Sequence, residues 1–84
     1  RHALVCGGKE VLLTPTEFRM LAAITSRPGE VVRRRAVVAA AWPDGAVVND
    51  NTVDSYVRRI RVKLGEVGSP LELRTVRGVG YTLR

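Results

Sequence analysis

Apolar and polar positions separate most cleanly between residues 51 and 64. Val53, Val57, Ile60 and Leu64 recur at steps of four, three and four residues, which is the spacing of one stripe on an α-helix. The opposite side carries Asn51, Ser55, Arg58, Arg59 and Val62, with Thr52 near its edge. An anchoring stripe backed by arginines among small polar residues suits a helix that packs on a core and lies in a DNA major groove. Arginine pairs bidentately with guanine, and small residues let a helix approach the base edges.

The pattern before this helix predicts a β-hairpin and two further helices. Residues 3–6 and 9–13 are apolar-rich runs joined by Gly7-Gly8, a pair that tolerates the positive φ of a two-residue hairpin turn. Thr14-Pro15-Thr16-Glu17 is a helix start: Thr14 caps, Pro15 suits the first helical position and Glu17 completes a capping box. Phe18, Leu21, Ala22 and Thr25 lie along one face of this helix, which ends at Arg27-Pro28-Gly29. Residues 30–32 read as a short extended piece. A second helix is expected from Arg33 to Trp42, closed by Pro43-Asp44-Gly45, with a loop over 46–50 before the third helix at 51–64. Gly65 is the expected helix stop, and Gly68-Ser69-Pro70 a further turn. Residues 71–75 and 80–83 then form two strands joined by Val76-Arg77-Gly78-Val79, a tight exposed loop with an arginine near its tip. Hairpin, helix, short strand, helix, helix, hairpin is the plan of a winged helix-turn-helix, an α+β fold. The expected core includes Phe18, Leu21, Val37, Val53, Val57, Ile60 and Leu64, with Trp42 packing the end of the second helix.

Charge points to the class of partner. Fourteen basic residues stand against eight acidic, a net charge of +6, and the basic ones are all arginine except Lys9 and Lys63. Six arginines and Lys63 fall between residues 58 and 84 against only Glu66 and Glu72, and Arg33-Arg34-Arg35 forms a second cluster. Such a basic domain usually meets a polyanion. Three cations at the start of the second helix oppose its macrodipole by a few tenths of a kcal/mol each. A bound phosphate would offset that, which makes Arg34 or a neighbour a candidate backbone contact; a solvated charge run is the alternative. Arg58 and Arg59 are candidate base or phosphate contacts, although Arg58 could simply pair with Asp54 four residues earlier. Arg61, nearer the core edge, is a candidate phosphate contact. Asn51, Thr52 and Ser55 can hydrogen-bond phosphates or base edges, with Thr52 also able to cap its helix. Tyr56 lies between the two faces, suited equally to the core edge and to a phosphate.

Other chemistry finds little support. Cys6 is the one cysteine and His2 the one histidine, so neither a disulfide framework nor a Cys/His metal site is expected, and the lone thiol fits a reducing compartment. There is no nucleophile beside a base and no clustered carboxylates, so no enzyme and no cofactor are expected. Gly78-Val79-Gly80 lacks the strand–loop–helix setting of a nucleotide-binding turn. No run approaches the roughly 18 apolar residues of a membrane span, and no apolar segment follows Arg1-His2-Ala3 as a signal peptide would require. The 84 residues are sized for one domain, 1–84.

Leu13-Thr14-Pro15-Thr16-Glu17-Phe18, Val31-Val32, Trp42, Thr52-Val53-Asp54, Arg58 through Leu64, and Thr75-Val76-Arg77-Gly78-Val79-Gly80-Tyr81 together resemble the OmpR/PhoB-type DNA-binding domain of bacterial two-component response regulators. The resemblance runs through nearly the whole chain, with motifs in order. It implies a cytoplasmic transcription factor whose recognition helix corresponds to 52–64. On the wing, Thr75 joins the candidate DNA contacts and Arg77 reaches the adjacent minor groove. It also implies that the loop between Trp42 and Asn51, with Pro43, Asp44, Gly45, Val47, Asn49 and Asp50, meets RNA polymerase in activators. Head-to-tail dimers on direct-repeat DNA are implied, of a chain monomeric alone, with an N-terminal receiver domain addressed by a histidine kinase; the close after Leu83-Arg84 fits a domain that ends its protein. The Arg33–Arg35 run, Asn51 and Ser55 depart from many relatives, so a relative's operator preference does not transfer. The same domain in a receiver-free or membrane-tethered regulator, where it lies N-terminal, is an alternative. A winged helix serving as a protein-interaction module is another, although that role does not call for outward arginines.

Overall fold

The computed structural model describes residues 2–45 and 47–84. Ala46, part of the loop expected before the third helix, and Arg1 lie outside the described residues. The elements are β1 (His2–Cys6), β2 (Lys9–Leu13), α1 (Pro15–Thr25), β3 (Val32–Arg33), α2 (Arg34–Ala41), α3 (Asp50–Val67), β4 (Leu73–Val76) and β5 (Gly80–Leu83). They form the expected winged helix: three helices, an N-terminal antiparallel hairpin and a C-terminal wing.

The two glycines of the β1–β2 turn have φ of 54° and 84°, and pairing runs from Cys6 with Lys9 to His2 with Leu13. The wing sheet is antiparallel in the order β3-β5-β4, so the short extended piece pairs with the wing through Val32–Tyr81 and Arg33–Gly80. Gly80 is needed at that crossing. A Cβ placed on it would lie 2.0 Å from the Val32 carbonyl oxygen and 2.8 Å from Arg33 Cα, both backbone.

The core is built from Met20, Leu21 and Ile24 of α1, Val37 and Ala41 of α2, Val53, Val57, Ile60 and Leu64 of α3, and Leu73 and Tyr81 of the wing stem. The α3 stripe is therefore buried as its spacing requires. The α1 face is not the expected one. Its buried residues are Glu17, Met20, Leu21 and Ile24, while Ala22 and Thr25 are exposed. Phe18 is 39% exposed and stacks on His2 with ring centroids 3.6 Å apart. Counting the face from Phe18 put the helix about a third of a turn out of phase; Glu17, a polar residue, occupies a core position instead.

Helix α3 also ends later than expected. Gly65 is helical and the chain continues to Val67, which is 2% exposed. The stop is Gly68 at φ 75°, where Gly68 N–H donates to the Gly65 carbonyl and Ser69 N–H to the Leu64 carbonyl. These are the paired bonds of a Schellman ending, whose left-handed residue glycine adopts without strain. The second helix and the strand after Pro70 are each shorter than expected, starting at Arg34 and Leu73.

Candidate nucleic-acid interface

The outward face of α3 is assembled from its cap upward. Asn49, not Thr52, is the N-cap. Its Oδ1 accepts the Thr52 backbone N–H at 2.9 Å and the Thr52 hydroxyl at 3.2 Å. Ser55 Oγ donates to the Asn51 carbonyl at 2.9 Å. Beyond this turn Asn51, Ser55, Arg58, Arg59 and Val62 face solvent, opposite the buried stripe. Among the described residues Asp54 and Arg58 form no ion pair, so the bland reading of Arg58 has no support in the geometry.

Aromatic packing shapes the flank of this surface. Trp42 packs against the core as expected and meets Tyr56 edge to face, with centroids 5.5 Å apart at 76°. The Arg59 guanidinium sits over the Tyr56 ring at 4.8 Å. A chain of contacts thus runs from the core through Trp42 and Tyr56 to Arg59. Stacking over an aromatic face holds the cation by about 0.5–1 kcal/mol at an exposed site.

Arg34 joins three elements. Its backbone N–H donates to the Val79 carbonyl at 3.2 Å, and its Nη2 pairs with Asp50 Oδ1 in the first turn of α3. The start of α2, the start of α3 and the wing turn therefore meet at one place. The start of α2 has no side-chain cap and no acidic residue in its first turn, so Asp50 from α3 is the carboxylate seen to offset its N–H groups and arginines there. Expected as a phosphate contact, Arg34 is already half committed to Asp50.

Arg61, expected as a phosphate contact, has partners within the fold. Its Nε donates to the Leu73 carbonyl at 2.9 Å and its Nη2 to Thr75 Oγ1 at 2.9 Å. Both acceptors are on β4, so two of its donors are engaged within the fold, and so is the Thr75 hydroxyl. At the wing tip, Val79 N–H bonds the Val76 carbonyl at 3.0 Å and Gly78 has φ 76°, as a type II turn requires at its third residue. Arg77 is exposed on that turn.

Comparison with known proteins places this arrangement. Residues 8–83 match the family described as transcriptional regulatory protein, C terminal. The chain belongs to this family. It is an OmpR/PhoB-type effector domain, 43% identical over 82 residues to the phosphate regulon transcriptional regulatory protein PhoB of Rhizobium meliloti, a match over 98% of this chain and 36% of PhoB. The chain spans about a third of the length of the curated relatives it matches. Among solved structures it resembles the DNA-binding domain of the response regulator AdeR in complex with an intercistronic region, with a TM-score of 0.82, 32% identity and coverage of 98% of this chain and 84% of that one. It also resembles the DNA-binding domain of Klebsiella pneumoniae RstA in complex with the RstA box, with a TM-score of 0.73, 29% identity and coverage of 95% and 80%.

In this effector domain the loop ahead of α3 has two kinds of residue. Pro43, Asp44, Gly45 and Val47 are exposed, Val47 completely so. Asn49 and Asp50 are exposed as well, but also bond within the fold, to the helix cap and to Arg34. Sequence reasoning missed the cap role of Asn49, the Arg61 link to β4 and the Lys63–Glu17 pair. For Asn49 a local signal existed: Asn three residues before Thr52, ahead of an amphipathic run. No helix among the described residues is long and apolar enough to cross a membrane.

Proposed function

We propose that this chain reads double-stranded DNA as the output domain of a two-component response regulator in the bacterial cytoplasm, as a single domain over 1–84 with no chemical step and no cofactor of its own. The observation that carries the reading is the solvent-facing row Asn51, Ser55, Arg58, Arg59 and Val62 on a helix whose other side is buried, placed beside an arginine-tipped wing. In this reading α3 lies in the major groove, where Arg58 and Arg59 meet base edges and phosphates while Asn51, Thr52, Ser55 and Tyr56 line the approach. Arg77 enters the neighbouring minor groove, where a narrow A·T-rich segment attracts a cation. Arg34 and the start of α2 meet the backbone, Arg34 exchanging Asp50 for a phosphate.

Two copies on a direct repeat would gain through effective concentration what one small domain, monomeric alone, lacks. The relatives' greater length supports a receiver domain preceding this one, with a histidine kinase as its partner. The exposed loop residues Pro43, Asp44, Gly45 and Val47 are the part available to RNA polymerase.

A fluorescence-anisotropy titration of duplex DNA across salt concentrations tests the reading. A domain that neutralises about four to six phosphates should lose affinity with a log–log slope near −4 to −5. Weak binding at low salt that stays flat with salt rules the reading out and leaves a protein-interaction module.

A further inference from the structure

Arg61 is an exposed residue of α3 whose guanidinium is nevertheless bonded to the wing. β4 is an edge strand, hydrogen-bonded to β5 alone in its sheet. The β5 side of the wing is tied to the body by Val32–Tyr81, Arg33–Gly80 and the bond from Arg34 N–H to the Val79 carbonyl. On the β4 side, Leu73 packs in the core with the α3 stripe, and the Arg61 guanidinium adds a polar tie through the Leu73 carbonyl and the Thr75 hydroxyl, each at 2.9 Å. Leu73 is locked in the core at 2% exposure, whereas Thr75 is exposed and stands two residues before Arg77. A planar fork with two fixed N–H directions sets both distance and angle; a lysine ammonium at the same place is a single point.

We propose that Arg61 is a positioning residue for DNA reading, fixing the wing relative to α3 so that the major-groove surface and Arg77 meet one duplex in one register. The proposal rests on the DNA-reading function above. A wing free to swing must be ordered at the moment of binding, and that ordering weakens the complex; a wing already held avoids it. Arg61 therefore acts through Arg77, and its removal matters only where Arg77 has something to touch.

The test uses the 84-residue chain with Arg61→Lys, Arg77→Ala and the double variant. The probes are a duplex enriched from a random pool by the wild-type chain, and the same duplex trimmed of the flank beyond the major-groove site. Arg61→Lys should weaken binding to the full duplex about tenfold and to the trimmed duplex by less than roughly twofold, and the double variant should bind no more weakly than Arg77→Ala alone. In the free chain, ¹⁵N relaxation should show faster motion at residues 76–79 in Arg61→Lys than in wild type. Thr75→Val, which removes one acceptor and leaves Arg61 in place, gives the same pattern more weakly and stands in should Arg61→Lys fold poorly. Equal weakening on both duplexes identifies a phosphate ligand and overturns the proposal, and Arg61→Gln, which removes the charge, would then lower the salt slope by about one. Additive losses with Arg77→Ala, or an unchanged wing in the relaxation data, overturn it too. A wild-type chain that binds no duplex refutes the DNA reading itself, a different failure from one confined to Arg61.

Discussion

A guanidinium that reads a base must give up rotamer freedom, and Arg59 has given up part of it before any DNA arrives. The Tyr56 ring beneath it, braced by Trp42, narrows its range, whereas Arg58 has no such platform among the described residues. Besides the core edge and the phosphate contact that the sequence left equal for Tyr56, the structure adds a third role, a platform for Arg59. If the ring is the working part, Tyr56→Phe keeps discrimination between the selected duplex and a scrambled one within about twofold, while Tyr56→Leu lowers it by roughly two- to fivefold, the equivalent of one exposed cation–π contact. If the hydroxyl bonds a phosphate, both variants weaken binding to every sequence alike. Binding curves on the two duplexes decide between them. At this scale the outward positions of α3 were legible, because helical periodicity is local. The partners of Arg34 and Arg61 were not, because Val79, Asp50, Leu73 and Thr75 lie on other elements whose distance in space the chain order does not give; the Tyr56 platform of Arg59 lies three residues back on the same helix.

Caps and stops decide where each element sits, and here local chemistry was a mixed guide. The Thr14 box is present as its sequence implies, with Thr14 N–H on Glu17 Oε1 at 2.8 Å and Glu17 N–H on Thr14 Oγ1 at 3.2 Å. The end of α3 was misread because two glycines, Gly65 and Gly68, both qualify. Burial of Val67 settles it: a helix stopped at Gly65 would leave that side chain outside the core. The two glycines should then respond in opposite directions. Gly65→Ala meets nothing within 4 Å and replaces a flexible residue in a helix, so it should stabilise by about 0.5–1 kcal/mol. Gly68→Ala forces a side chain into the left-handed region and should destabilise by about 1–2 kcal/mol. Urea midpoints of the two variants measure both; a shared sign contradicts the assigned helix end.

For the molecule as a whole, an ion pair joins α1 to α3. Lys63 Nζ donates to Glu17 Oε1 at 2.6 Å, across 46 residues, and Glu17 is 1% exposed. Both bonds fall on the same oxygen; Oε2 is buried with no protein hydrogen-bond partner among the described residues. Burial by itself would raise the carboxyl pKa, but the Lys63 hydrogen bond, the Thr14 amide and the Lys63 charge outweigh it and hold the pKa below the ordinary 4.5. A folded-state pKa below the unfolded one means the unfolded chain takes up the proton first. The stability Glu17 contributes is therefore fully present above about pH 4.5 and is lost as pH falls from there through the folded value. Glu17→Gln should be less stable than wild type by about 1.5–3 kcal/mol at neutral pH, with the gap narrowing below pH 4.5. Urea unfolding at a series of pH values gives the two curves, and parallel curves would show that Glu17 carries no such linkage.

What the sequence settled by itself was whatever depends on neighbours a few residues away: the apolar stripe of α3, the Thr14 capping box, the glycine turns of both hairpins, the basic balance, and from these the winged helix. What only the tertiary structure decided was the partner of each long polar side chain. Glu17 reads as a surface cap until Lys63 arrives from α3, and the Arg61 bonds to Leu73 and Thr75 exist only once β4 packs beside it. Phe18 reads as core until Glu17, neutralised in that way, takes the inward place. Local periodicity fixes which side of a helix is apolar, but only the packed neighbour supplies the opposite charge that lets a charged residue be buried.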